Sequence, residues 1–157
     1  MISKLWFPYF AAVLLSSSAA AETARAVYVV PFSHLDFYWG GRREECLARG
    51  NRIIAKAIRL ADQYPDFRFL LEDNDFVANY VESHNGTDDL SLFKRLVKDG
   101  RIEIAPKWAA IFQDLPDGEV LARNIVYGKR FARSVFGVDP QTAHLGDLSF
   151  VKNASDD

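Results

Sequence analysis

The chain has 157 residues, of which 49% are hydrophobic and 25% charged, with a formal charge of -2. That length is enough for one domain with its own core, and the near-neutral charge offers no attraction to nucleic acid or to an anionic membrane. A lone cysteine, Cys46, excludes an internal disulfide framework.

Residues 1–21 read as a secretory signal. Lys4 supplies a positive start, residues 5–15 form a short apolar stretch interrupted by Pro8, and residues 16–21 are small, ending in Ala19 and Ala21. The apolar stretch is too short for a permanent membrane span. The expectation is therefore a secreted or periplasmic protein without stable membrane insertion. Its domain covers residues 22–151, followed by a disordered tail over 152–157.

Four short apolar runs predict strands at residues 26–30, 67–71, 101–105 and 142–145. Runs without polar alternation suggest strands covered on both faces. Between the first two, Leu47, Ile54, Ala57, Ile58 and Ala61 recur at helical spacing and predict a helix over 43–61. A second helix is expected over 75–82, entered through Asp73 or Asn74 as its cap. A third is expected over 89–98, with an acidic residue at its start and Gly100 at its end. The fourth follows Pro116 over 117–135, with Leu121, Ile125, Val126, Phe131 and Val135 on its apolar side. The order β-α-β-α-α-β-α-β, with strand starts about 35 to 40 residues apart, is that of parallel crossover units. The predicted class is thus α/β, built from parallel β/α units.

In such a sheet, ligands meet the carboxyl ends of the strands. Those ends collect Ser33, His34, Asp36 and Trp39 after the first strand, and Glu72, Asp73 and Asp75 after the second. Lys107 and Trp108 follow the third strand and Asp147 the fourth. His34 and Asp36 form an H-x-D pair whose side chains share one face if the segment is extended. An imidazole and a carboxylate so placed can bind zinc, and Asp147 offers a further carboxylate as ligand or nucleophile. Glu72, nearest its strand end, is the cleft-side member of its acidic cluster. Trp39 and Trp108 are candidates for stacking on a sugar ring, with core or loop anchoring as the alternative. No glycine-rich phosphate loop or nucleophile elbow occurs.

These same residues carry a resemblance. Residues 29–39, Val-Val-Pro-Phe-Ser-His-Leu-Asp-Phe-Tyr-Trp, resemble the V-P-H-S-H-x-D-x-x-W opening of the retaining α-mannosidases of glycoside hydrolase family 38. In the same order, Arg68, Phe69 and Glu72 resemble R-F-x-x-x-E, and residues 96–104 running on to Trp108 resemble L-V-x-x-G-x-x-E-I…W. Phe136, Gly137 and Pro140 resemble the F-G-x-x-P that precedes the family's catalytic aspartate, here Asp147. The likeness spans residues 27–150. It implies the first part of a seven-stranded (β/α) barrel, zinc as cofactor with His34, Asp36 and Asp147 as ligands, Asp147 as nucleophile, and an α-mannoside or related glycan as substrate.

The chain departs from the family pattern at Phe32, which replaces a motif histidine, and at Asp147-Leu148-Ser149-Phe150, where the family has D-P-F-G. No second catalytic carboxyl or further zinc-binding histidine is evident. His84 falls at a helix end. His144, three residues before Asp147, would face the other side of a strand. The expectation is an incomplete barrel with an open sheet edge able to self-associate. A non-catalytic carbohydrate-binding protein and a metal-dependent deacetylase-like hydrolase are the alternative functions.

Overall fold

A computed structural model describes residues 26–142 together with His144 and Gly146. The expected signal sequence and tail, and Asp147, lie outside the described residues. Within them the order is β1 (Phe32–Ser33), α1 (Arg43–Gln63), β2 (Phe69–Leu71), α2 (Asn74–Ser83), α3 (Asp88–Lys98), β3 (Ile102–Ile104) and α4 (Gly118–Phe136).

The three strands form one parallel sheet in the order β1-β2-β3. The β1–β2 connection runs through α1, and the β2–β3 connection through α2 and α3, as parallel pairing requires. The ladder begins later than the sequence suggests. Residues 26–30 are not in a strand, and Val27 to Val30 are 61% to 89% exposed. Pairing starts where Leu70 N donates to Pro31 O at 2.9 Å. A β-rich run becomes a strand only where a neighbour accepts its hydrogen bonds, and the outer side of this segment has none among the described residues. Of the predicted fourth strand, Thr142 and His144 are in no strand.

One face of the sheet is covered by helices. Leu71, Ile102 and Ile104 join Ile54, Phe93 and Phe136 in a single apolar core. The other face is different: Phe32 and Glu103, which flank Leu70 in register, are both exposed. Cover on both faces, expected from the apolar runs, is therefore absent at β1 and β3 among the described residues.

Helix starts and stops follow local chemistry. The Arg42 N–H donates to Glu45 Oε2 at 2.6 Å at the start of α1. Thr87 caps α3, its Oγ1 accepting from Leu90 N at 3.2 Å, in place of the expected acidic residue. Asp117 caps α4 by accepting from Val120 N at 2.9 Å, and Gly137 ends that helix at φ 72°, a left-handed conformation natural to glycine. Asp73 occupies the cap position of α2, but its side chain makes no capping bond.

The buried stripe of α4 also differs from its apolar pattern. Phe131 and Val135 pack partly buried against the core as expected, but Ile125 and Val126 are exposed, and the fully buried residues are Gly128, Ala132 and Phe136, spaced four apart. The cause is the backbone of Pro106 and Lys107, which lies so close to Gly128 that no side chain fits between them. Among the described residues, no helix is long and apolar enough to cross a membrane.

Candidate functional site

The parallel register sets the site. Phe32 pairs with Leu70, and His34 and Glu72 each lie two residues further along. Alternation places both on the sheet face opposite the helical core, beyond the carboxyl ends of β1 and β2. There, His34 Nδ1 lies 2.9 Å from Glu72 Oε2, and His34 Nε2 lies 3.3 Å from Asp36 Oδ1. The imidazole is thus held between two carboxylates, one buried behind it and one toward the cleft.

Lys107 completes the inner layer. Its Nζ donates to Glu72 Oε1 at 2.8 Å and lies 3.4 Å from Asp73 Oδ1. All three side chains are buried, with Glu72 2%, Asp73 4% and Lys107 5% exposed as residues. Backbone clamps put Lys107 in place. The Asn74 amide donates to Ala105 O at 2.8 Å and to Lys107 O at 2.7 Å, tying the end of β3 to the start of α2. From α4, Asn124 accepts from Ala109 N at 2.9 Å and donates to Ala109 O at 3.0 Å.

One ammonium serves the two carboxylates unequally. Burial alone would raise Glu72, but its bonds to Lys107 and His34 hold its carboxyl below the ordinary value. Asp73 has no hydrogen bond to either oxygen. Burial, aided by the neighbouring Glu72 charge and only partly opposed by Lys107, pushes it up to about 7. Burial likewise raises Asp75 to about 6. His34 is raised, chiefly by the Glu72 bond.

For Asp73 the folded state holds a proton that the unfolded chain has already lost. Its contribution to stability is therefore largest at acid pH and declines as pH rises from about 4 to about 7. Asp73→Asn should flatten that decline in urea-unfolding midpoints measured across the window. Parallel curves for the two proteins would show that Asp73 ionises normally.

Above these groups opens a cavity of about 600 Å³, lined by His34, Asp36, Trp39, Asp73, Asp75 and Phe112 among others. Trp39 is 79% exposed at its rim. Tyr38, with φ 65°, turns the chain there, and Arg49 Nη2 donates to Trp39 O at 3.0 Å. Trp108 does not line this cavity. Its ring meets Phe131 edge-on at 5.6 Å, an anchoring position rather than a stacking platform. Glu72 lies beneath His34 rather than on the cavity wall.

His144 also differs from expectation. Alternation from Asp147 presumes a strand, and His144 is in none. Its ring packs 4.5 Å from that of Phe32, and its Nδ1 lies 3.4 Å from Glu72 Oε1. Gly146 closes over the same group, since a Cβ there would stand 2.9 Å from Glu72 Oε1 and 3.5 Å from His34 Nδ1. His84, by contrast, stacks on Tyr80 at the end of α2.

The His34–Asp36 pair suits a tetrahedral cation. Two donors about 2.0 to 2.1 Å from a zinc centre stand about 3.3 Å apart, the separation found between Nε2 and Oδ1. The described residues supply only this pair. Among them no group of three or more His, Cys, Asp or Glu side chains converges on one cation position.

In a parallel β/α sheet ligands bind beyond the carboxyl ends of the strands, and here an imidazole and carboxylates gather at that end. Residues 24–150 match the glycosyl hydrolases family 38 N-terminal domain, and the chain belongs to that family. Alpha-mannosidase G of Dictyostelium discoideum is 27% identical over 118 residues, covering 74% of this chain and 11% of the relative. The alpha-mannosidase of Saccharomyces cerevisiae is 23% identical over 143 residues, covering 88% of this chain and 13% of the relative. The chain therefore spans only a small part of the length of these relatives. Two crystal structures from Enterococcus faecalis share its fold. An alpha-mannosidase superposes with a TM-score of 0.64 at 23% identity, covering 71% of this chain and 12% of that one. A glycosyl hydrolase family 38 protein also superposes with a TM-score of 0.64, at 24% identity, covering 77% and 14%.

Proposed function

We propose that this chain carries part of the active site of a zinc-dependent retaining α-mannosidase, and that its three strands open a seven-stranded (β/α) barrel. The observation that carries the reading is the 3.3 Å separation of His34 Nε2 and Asp36 Oδ1 at the carboxyl end of β1. In this reading His34 and Asp36 are two zinc ligands, and Asp147 is a third ligand and the nucleophile that attacks the anomeric carbon. The role of Asp147 rests on its place in the order of family-like motifs, after Phe136, Gly137 and Pro140. Bound zinc would orient sugar hydroxyls and stabilise charge that develops at the reacting ring.

The chain's own groups have separable tasks. Trp39, exposed at the cavity rim, offers an indole face to the apolar side of a pyranose. His34 is held from behind, so its orientation does not depend on substrate. The general acid/base is not assigned to any residue of this chain. Residues 1–21 are read as an export signal, so that the domain would act on glycans outside the cytoplasm.

Metal analysis of the purified chain tests the reading. Zinc is expected in the unaltered protein and should be lost in His34→Ala, with both proteins folded by circular dichroism. An unaltered protein that takes up no zinc would overturn it.

A further inference from the structure

The imidazole of His34 can serve as a ligand only if the correct nitrogen faces the cleft, and the buried groups behind it bear on that choice. We propose that Glu72 is the positioning residue of His34, fixing its tautomer, and that Lys107 is the counter-ion that keeps Glu72 able to do so. The inference builds on the zinc reading above but concerns the protein without metal as well.

Glu72 Oε2 lies 2.9 Å from His34 Nδ1, and Glu72 Oε1 accepts from Lys107 Nζ at 2.8 Å. An ionised carboxylate only accepts hydrogen bonds, so Nδ1 must carry the proton and donate it. The lone pair of the neutral ring is then on Nε2, the nitrogen that faces Asp36. A protonated Glu72 could instead donate to Nδ1. The ring proton would move to Nε2, and the cleft-facing lone pair would vanish.

What prevents this is the charge of Lys107. A carboxylate only 2% exposed would protonate for lack of hydration, unless a buried cation stood beside it. Lys107 is such a cation, held in place by backbone clamps from Asn74 rather than by contact with the cleft. Gly146 shields the arrangement from the other side, where any side chain would intrude on Glu72 Oε1. Once the tautomer is set, two acceptors face each other 3.3 Å apart, an arrangement satisfied by a cation between them. The chain Lys107–Glu72–His34 thus prepares a cation site from behind, as outer carboxylates do for histidine ligands generally.

The test is made on the full chain labelled with ¹⁵N-histidine and stripped of metal, at a pH high enough for a neutral ring. Long-range ¹H–¹⁵N correlation reads the His34 tautomer directly. The unaltered protein should show Nδ1–H. In Glu72→Gln the Nε2–H form should become the larger population, and zinc affinity by calorimetry should fall about 10- to 100-fold. The triply neutral Glu72→Leu/Asp73→Asn/Lys107→Met removes the ammonium together with both carboxylates beside it and so leaves no buried unpaired ion. It should show the same tautomer change, which keeps the test decisive if Glu72→Gln unfolds. A His34 tautomer unchanged in the folded variants overturns the proposal, whatever zinc does. An unaltered protein that binds no zinc but shows the tautomer change would overturn the metal reading and leave the positioning role standing.

Discussion

Lys107→Met should cost about 3 to 5 kcal/mol of folding stability at neutral pH, the range found when one partner of a buried ion pair is removed. The ammonium is the cation beside both Glu72 and Asp73, at 2.8 Å and 3.4 Å, and methionine fills its volume without its charge. The loss should be greatest where the carboxyls would otherwise ionise, and should shrink as the pH is lowered and both become neutral. Urea unfolding at neutral and at mildly acid pH separates this from a packing defect, which would cost the same at both. A pH-independent loss, or none, would show that the network contributes no electrostatic stability.

Gly128→Ala is the second large effect, and it acts without any charge. The new Cβ would stand 2.0 Å from Pro106 O and 2.7 Å from the carbonyl carbon of Lys107. Both obstacles are backbone, so no rotamer change relieves them, and α4 must move off the β3 end. Alanine gains about 1 kcal/mol in helix propensity over glycine, and overpacking of this kind costs typically 1–3 kcal/mol, occasionally more. At such short approach the upper end applies, and a net loss of about 2 kcal/mol or more is expected in urea unfolding. Gly118→Ala, where the added Cβ meets nothing within 4 Å, is the control. Equal behaviour of the two variants would mean that α4 does not press on this segment.

Both predictions concern residues whose importance a sequence does not advertise. Gly128 lies in the middle of an amphipathic helix, where periodicity assigns Ile125 and Val126 to the inner face along with Phe131 and Val135. That face is instead set by how near the helix axis comes to the chain at Pro106, a distance created only when α4 folds back over the end of β3. Ile125 and Val126 are consequently left exposed. Lys107 can be placed at a strand end from the pattern of apolar runs. Nothing in its neighbours along the chain shows that it is buried between two carboxylates 35 and 34 residues earlier.

The sequence by itself determined the parallel β/α order, the four helices to within about two residues at each end, and the family through motifs that recur in order. It also brought His34 and Asp36 forward as a pair, because a spacing of two is a local property that alternation converts into a shared face. The tertiary structure decided what stands behind that pair. Register between β1 and β2 brought Glu72 under His34 rather than onto the cavity wall, and the turn after β3 supplied Lys107 as its counter-charge. It turned Trp108 onto Phe131 and left Trp39 at the rim. Periodicity reports which face a residue occupies within its own element. Which groups meet across elements depends on register and on the close approach of backbones, and these exist only in the folded chain.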